Sequence, residues 1–188
     1  MDISGKTVLV TGGAGFIGSH VVTELLRTDI GRVVIFDNFT RGKHSHIDQA
    51  LADPRCEVFP DGGDIRDIDV LGAAVAQADG VIHLAAMWLL HCKDYPRTAF
   101  DVNIQGTFNV LEACVKNNVE RLVYSSSASV YGDAVQVPMT EEHPGLASGT
   151  ATLLAEIPQS RRGETLDQAT LIGVELLRGG KPHWVNSR

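Results

Sequence analysis

Thr11-Gly12-Gly13-Ala14-Gly15-Phe16-Ile17-Gly18 is the stretch that decides the fold of this chain. Gly13, Gly15 and Gly18 satisfy G-x-G-x-x-G, and Gly12, Gly15 and Gly18 satisfy G-x-x-G-x-x-G. In such a turn one glycine permits a tight bend, one lets a diphosphate approach the backbone, and one lets a helix pack close to a sheet. The flanks fit that use. Lys6-Thr7-Val8-Leu9-Val10 reads as a buried strand, and Ile17 to Arg27 places Ile17, Val21, Val22, Leu25 and Leu26 on one helical face. A helix opening on this turn offers free N–H groups and partial positive charge to phosphates. Ser19 follows Gly18 where a P-loop needs lysine, so a P-loop is excluded.

Working outward, the next apolar run, Arg32-Val33-Val34-Ile35-Phe36, ends on Asp37. A carboxylate there suits the ribose hydroxyls of a dinucleotide and repels a 2′-phosphate, so NAD is expected over NADP. Arg41 and Lys43 lie close behind and read as solvated loop charges, with a softening of that preference as the alternative. Further strands are expected at Glu57-Val58-Phe59, Gly80 to Ala86 and Arg121 to Ser126. Helices are expected at Val70 to Ala78 and over Arg97 to Asn117, the latter with Phe100, Ile104, Phe108, Leu111 and Val115 on one side. Asn38 to His46 reads as a loop. Apolar strands alternating with helices predict an α/β fold, a doubly wound parallel sheet of the Rossmann kind. The alternation weakens after Pro144. Glu164 to Leu177 reads as one weak helix and Gly179-Gly180-Lys181-Pro182 as a frayed end.

Composition narrows the function class. The 188 residues carry a formal net charge of -7, which disfavours nucleic-acid and anionic-membrane partners. No run approaches the roughly 20 apolar residues that span a bilayer, and the first residues lack a signal-peptide pattern, so a cytoplasmic location is expected. Cys56, Cys92 and Cys114 have no metal-ligand spacing, and no metal site is expected among them and the histidines.

Six motifs in order then resemble one family. They are the glycine turn, Asp37-Asn38, Gly63-Asp64-Ile65-Arg66-Asp67, His83-Leu84-Ala85-Ala86, Asn103 with Gly106-Thr107, and Ser125-Ser126-Ser127-Ala128-Ser129-Val130-Tyr131-Gly132. Together they resemble the extended short-chain dehydrogenase/reductase family, the NAD-dependent epimerase/dehydratase group acting on nucleotide sugars, over residues 1–144. The resemblance implies a cofactor site at Gly12, Gly15, Phe16, Ile17, Gly18, Asp37, Asn38, Asp64, Ile65, Leu84, Ala85, Ala86, Asn103 and Ser125. It implies Ser127 as the catalytic hydrogen-bonding group on the reacting sugar hydroxyl. Ala128 and Ser129 stand where the family's dehydratases carry Asp-Glu, which resembles the epimerase pattern. A lysine frequent in UDP-galactose 4-epimerases near the position of Trp88 is absent, leaving the sugar open.

The resemblance ends at the acid/base pair. The family's Tyr-x-x-x-Lys has no counterpart, because Tyr95, Tyr124 and Tyr131 are followed four residues later by Ala99, Ala128 and Val135. Aligning Gly163-Glu164 with the Gly-Glu that follows the family's lysine puts Glu156 and Ser160 in the Tyr and Lys places. The expected organisation is an NAD-binding domain over residues 1–144 and an atypical tail over 145–188, either a frame-shift product or a divergent subdomain, with the family's substrate domain missing. The expectation for function is an inactive nucleotide-sugar epimerase-type NAD-binding domain. The alternatives are a non-catalytic binding or interaction module and a dehydrogenase using Glu156 or His143. The family's usual homodimer is doubtful here, because the helix that would carry the Tyr and Lys forms half of that interface.

Overall fold

The structure, a computed structural model, describes residues 2–125, 137, 138 and 140, and the backbone of 175–178 and 181–184. The chain divides into two compact units, Met1–Val123 and Tyr124–Arg188.

The first unit is built on parallel strands, β1 (Thr7–Thr11), β2 (Arg32–Phe36), β3 (Cys56–Val58), β4 (Gly80–His83) and β5 (Arg121–Tyr124), in the order β3-β2-β1-β4-β5. The registers run Thr7↔Arg32 to Thr11↔Phe36, Val33↔Cys56 to Ile35↔Val58, and Val8↔Gly80 to Thr11↔His83. Strand order reverses at β1, so the crevice between the C-terminal ends of β1 and β4 is the switch point of a doubly wound sheet.

The strands form because their residues are apolar on both faces. Val8, Val10, Val33 and Ile35 share one buried cluster with Val22 and Ile47. The alternate residues Leu9, Val34 and Phe36 point the other way and are also buried. Burying each such side chain contributes about 1.5–3 kcal/mol. Helix α1 (Phe16–Leu26) crosses from β1 to β2, the single turn α2 (Asp48–Leu51) follows a 3₁₀ turn at His44–His46, and α3 (Ile68–Val75) leads into β4. Between β4 and β5 lie α4 (Leu89–Asp94), α5 (Pro96–Ala99), a π-helical stretch (Phe100–Gly106) and α6 (Thr107–Lys116).

Three expectations change. The helix over Arg97 to Asn117 is interrupted by the π-helical stretch, and the Phe100–Val115 stripe is not its core face. Phe100 and Val115 are exposed, while Asn109, Val110, Ala113 and Cys114 are buried, because small residues let α6 pack closely against α3. The loop Asn38 to His46 ends in a 3₁₀ turn. In the second unit, Glu175–Arg178 and Lys181–Trp184 are strands β6 and β7, antiparallel with Glu175↔Trp184 and Arg178↔Lys181 in register. This overturns the helix reading at Glu175–Leu177 and the frayed end at Lys181-Pro182. Gly179-Gly180 between the two runs is a hairpin signal that outweighs a weak helical face.

Candidate functional site

The four loops that follow the C-terminal ends of β1 to β4 carry residues singled out in the sequence. The glycine turn follows β1. Gly12 sits at φ +71, and a Cβ there would stand 2.8 Å from the Ala85 nitrogen. The turn and the loop after β4 therefore touch backbone to backbone. A Cβ on Gly18 would collide with the Gly12 carbonyl and lie 2.7 Å from the Gly13 Cα. Gly12 N–H donates to the Phe36 carbonyl (2.8 Å), and Gly15 N–H to the Gly12 carbonyl (3.1 Å).

Helix α1 opens without a side-chain cap. Its N-cap is Gly15 and its first turn has no acidic residue. By contrast α3 is capped by Asp67, which accepts from Val70 N–H. The first-turn N–H groups of α1, on Phe16, Ile17 and Gly18, thus present donors and partial positive charge at the crevice. Phe16 and Ile17 carry exposed side chains there.

Asp37 at the end of β2 braces the turn. Its Oδ2 accepts from Ala14 N–H (2.9 Å) and its Oδ1 from Phe39 N–H (2.8 Å). The neighbouring backbone is close on two sides. A Cβ on Gly63 would strike the Asp37 main chain, and one on Gly42 would lie 2.8 Å from Asp37 Oδ1. Asn38 reaches Asp64 Oδ2 at 3.5 Å. The Arg66 guanidinium beside Asp64 holds its carboxyl below the usual carboxylate range, at 2.5 Å between Nη2 and Oδ2. Ile65 is buried, with a Gly106 Cβ position 2.6 Å from its Cδ1, and its carbonyl accepts from buried Asn109 (3.0 Å). Behind Asp37, Arg41 lies over the Trp88 ring, 5.0 Å from its centroid, and Phe39 stacks on His44 at 4.2 Å.

Leu84, Ala85 and Ala86 follow β4 beside the glycine turn. Leu84 and Ala85 N–H donate to Thr11 Oγ1 at 3.2 and 3.3 Å. Asn103, in the π-helical stretch, grips the same loop one step on. Its Oδ1 accepts from Met87 N–H (2.6 Å), and its Nδ2 donates to the Met87 carbonyl (3.2 Å). Ser125 directly follows β5 and is exposed. Ser127, Glu156 and Ser160 lie outside the described residues.

Sequence reasoning passed over the group joining these parts. His83 is buried, with Nδ1 2.7 Å from Thr11 Oγ1 and Nε2 3.0 Å from Thr107 Oγ1. The available signal was a histidine inside an apolar strand, which must find polar partners when buried. Burial pushes its pKa from the ordinary 6.5 down to about 4. A lowered histidine pKa means that the neutral form favours folding. The associated stability is complete above pH 6.5 and declines as pH falls from 6.5 towards 4, by about 3 kcal/mol in all. Urea midpoints are therefore expected to drop between pH 7 and pH 4.5, and His83→Gln should flatten that slope. An unchanged slope in the variant would assign it elsewhere. Asp64 acts in a lower window, losing its contribution only as pH falls below 3.8.

Among the described residues, no three His, Cys, Asp or Glu side chains converge on a metal position, and no helix is long and apolar enough to cross a membrane. Burial raises the Cys56 and Cys114 thiols to about 11 and about 12, which keeps them protonated and poorly nucleophilic.

Comparison with known proteins follows the same lines. Residues 8–150 match the model of the NAD dependent epimerase/dehydratase family. UDP-glucose 4-epimerase of Lacticaseibacillus casei is 38% identical over 142 residues, 73% of this chain and 40% of that protein. Human 3 beta-hydroxysteroid dehydrogenase type 7 is also 38% identical, over 72% of this chain and 35% of that protein. The crystal structure of UDP-glucose 4-epimerase from Bifidobacterium longum with NAD+ and UDP superposes with a TM-score of 0.67 at 34% identity, covering 76% of this chain and 43% of that one. The chain spans about two-fifths of the length of these relatives.

Proposed function

From the premise that this chain belongs to the NAD dependent epimerase/dehydratase family, we propose that it is an NAD-binding domain of the nucleotide-sugar epimerase type, without catalytic turnover of its own. The observation that carries the reading is the cradle at the switch point. Gly12 and Gly18 leave no room for a Cβ, α1 opens uncapped, and Asp37 holds Ala14 in the turn. These are the features a dinucleotide needs: backbone donors for its diphosphate and a carboxylate beside its ribose. The residues present therefore fit NAD. The first turn of α1 and the glycine turn would hold the diphosphate, Asp37 the adenosine ribose, and Asp64 with Ile65 the adenine. When bound, NAD would supply reversible hydride acceptance.

The epimerase assignment rests on Ser127-Ala128-Ser129 in place of the dehydratase Asp-Glu pair. A UDP-glucose 4-epimerase and a steroid dehydrogenase resemble this chain equally well over similar lengths, so the nucleotide-sugar substrate rests on the serine motif. A second reading, a non-catalytic NAD-binding or protein-interaction module, is favoured by the missing Tyr-x-x-x-Lys.

The test is calorimetry with both cofactors on the 188-residue chain. NAD is expected to bind more tightly than NADP, because a 2′-phosphate would meet the Asp37 carboxylate. Asp37→Ala should narrow the difference. It should do so mainly by weakening NAD, since it also strands the buried Ala14 N–H at about 1–3 kcal/mol. Equal affinities in the unaltered chain would sink the Asp37 assignment, and absence of binding to either cofactor would sink the function.

A further inference from the structure

We infer that His83, as a neutral imidazole protonated on Nε2, is a positioning residue that locks the loop Leu84–Met87 against the glycine turn through one directional chain of hydrogen bonds. The partners of Thr11 and Thr107 set the direction. Thr11 Oγ1 faces two N–H donors: Ala85 at 3.3 Å, and Leu84 at 3.2 Å, whose hydrogen is shared with the Thr11 carbonyl at 3.0 Å. With these donors in front of it, the hydroxyl turns its own hydrogen to the imidazole, which agrees with Nε2 being the donor on the Thr107 side. The Thr11 hydroxyl therefore donates to His83, and Nδ1 is the acceptor at 2.7 Å. On the other side Thr107 Oγ1 donates to the Asn103 carbonyl at 2.8 Å, so it accepts from His83 Nε2–H at 3.0 Å.

The chain runs from Leu84 and Ala85 through Thr11, His83 and Thr107 to Asn103. Asn103 then holds Met87 by both main-chain groups, 2.6 Å to N and 3.2 Å to O. The loop is fixed near both ends, and His83 is the crosspiece between the two anchors. Its burial suits this role. A desolvated site favours the neutral imidazole, the only state in which one ring nitrogen accepts while the other donates. What the device positions is Ala85, whose nitrogen lies 2.8 Å from where a Gly12 Cβ would be. The spacing of the two crevice walls thus depends on His83. Its consequence for cofactor affinity rests on the NAD reading given above.

Two substitutions separate the arms. His83→Asn keeps an acceptor near the Nδ1 place and loses the donor to Thr107. His83→Gln keeps a donor near the Nε2 place and loses the acceptor for Thr11. Amide hydrogen exchange is read on the full chain without cofactor. In His83→Asn, exchange at Met87 should quicken about tenfold, the worth of one hydrogen bond, with Ala85 unchanged. In His83→Gln, Ala85 should quicken and Met87 stay. Nitrogen NMR of the unaltered chain at pH 7 should show the imidazole protonated on Nε2 alone, a measurement independent of any variant's folding. The Nδ1–H tautomer, an imidazolium, or equal acceleration at both amides in both variants would overturn the inference. NAD titration is read last, and each variant should bind about tenfold more weakly. Failure of the unaltered chain to bind NAD would overturn the function while leaving the tautomer and exchange results to decide the role of His83.

Discussion

Purified as its 188 residues, the chain is expected to interconvert UDP-glucose and UDP-galactose at no measurable rate, even with NAD bound. Removing a proton from a sugar hydroxyl near neutral pH needs a positioned base. A tyrosine with an intrinsic pKa near 10 serves only when neighbouring positive charge favours its phenolate. This chain has no tyrosine with a lysine four residues on. Tyr124, at the end of β5, is driven the other way, because burial raises its pKa. A serine hydroxyl such as that of Ser127 is too weak a base to replace the phenolate. Loss of the acid/base group costs about 10²–10⁴-fold. The measurement is NMR of the two sugar nucleotides over a day, after NAD binding has been confirmed. Turnover abolished by Ser127→Ala would show a working site and refute the assignment of this chain as inactive.

The second large effect is expected at the glycine turn. Gly12→Val should weaken NAD binding at least about 100-fold. The φ of +71 costs an L-residue about 1–2 kcal/mol, and the new Cβ meets main-chain atoms of Leu84 and Ala85 that cannot rotate away. Together these exceed the roughly 2.8 kcal/mol that a 100-fold change represents. Gly18→Val should act by another route, driving α1 off the Gly12 carbonyl and lowering the urea midpoint as well. Gly72→Ala in α3 is the control. A Cβ there meets nothing within 4 Å, so a helix-interior glycine is replaced at a gain of up to about 1 kcal/mol. Wild-type affinity in Gly12→Val would remove the turn from the cofactor site.

The sheet of the first unit was legible because each strand is an uninterrupted apolar run, buried on both faces. β1 was displaced by one residue, β2 matched Arg32–Phe36, and β4 ended earlier than read, at His83 rather than Ala86. The single turn of α2 and the short α4 escaped because four to six residues carry no measurable periodicity. The hairpin of β6 and β7 was hidden by a weak helical face, although its Gly-Gly signal stood in plain view. At the site, the glycine turn and Asp37 were readable from local spacing. Two features were not: the bracing of Ala14 by Asp37, and the Thr11–His83–Thr107 chain. Both depend on which residues meet across 23 to 72 positions of sequence. Spacing along one element cannot reveal such meetings.

The π-helical stretch Phe100–Gly106 fixes the local length of the chain. Such a stretch takes more residues per turn than an α-helix, so removing one residue would let it relax to α geometry. Everything beyond the deletion would then rotate by about 100° relative to what precedes it. A deletion between Asn103 and Thr107 would turn one of them away from the β4 loop, and no point substitution would restore it. Point changes and loop insertions can accumulate elsewhere in descendants of this gene, but the segment from Asn103 to Thr107 should stay free of gaps wherever the fold persists.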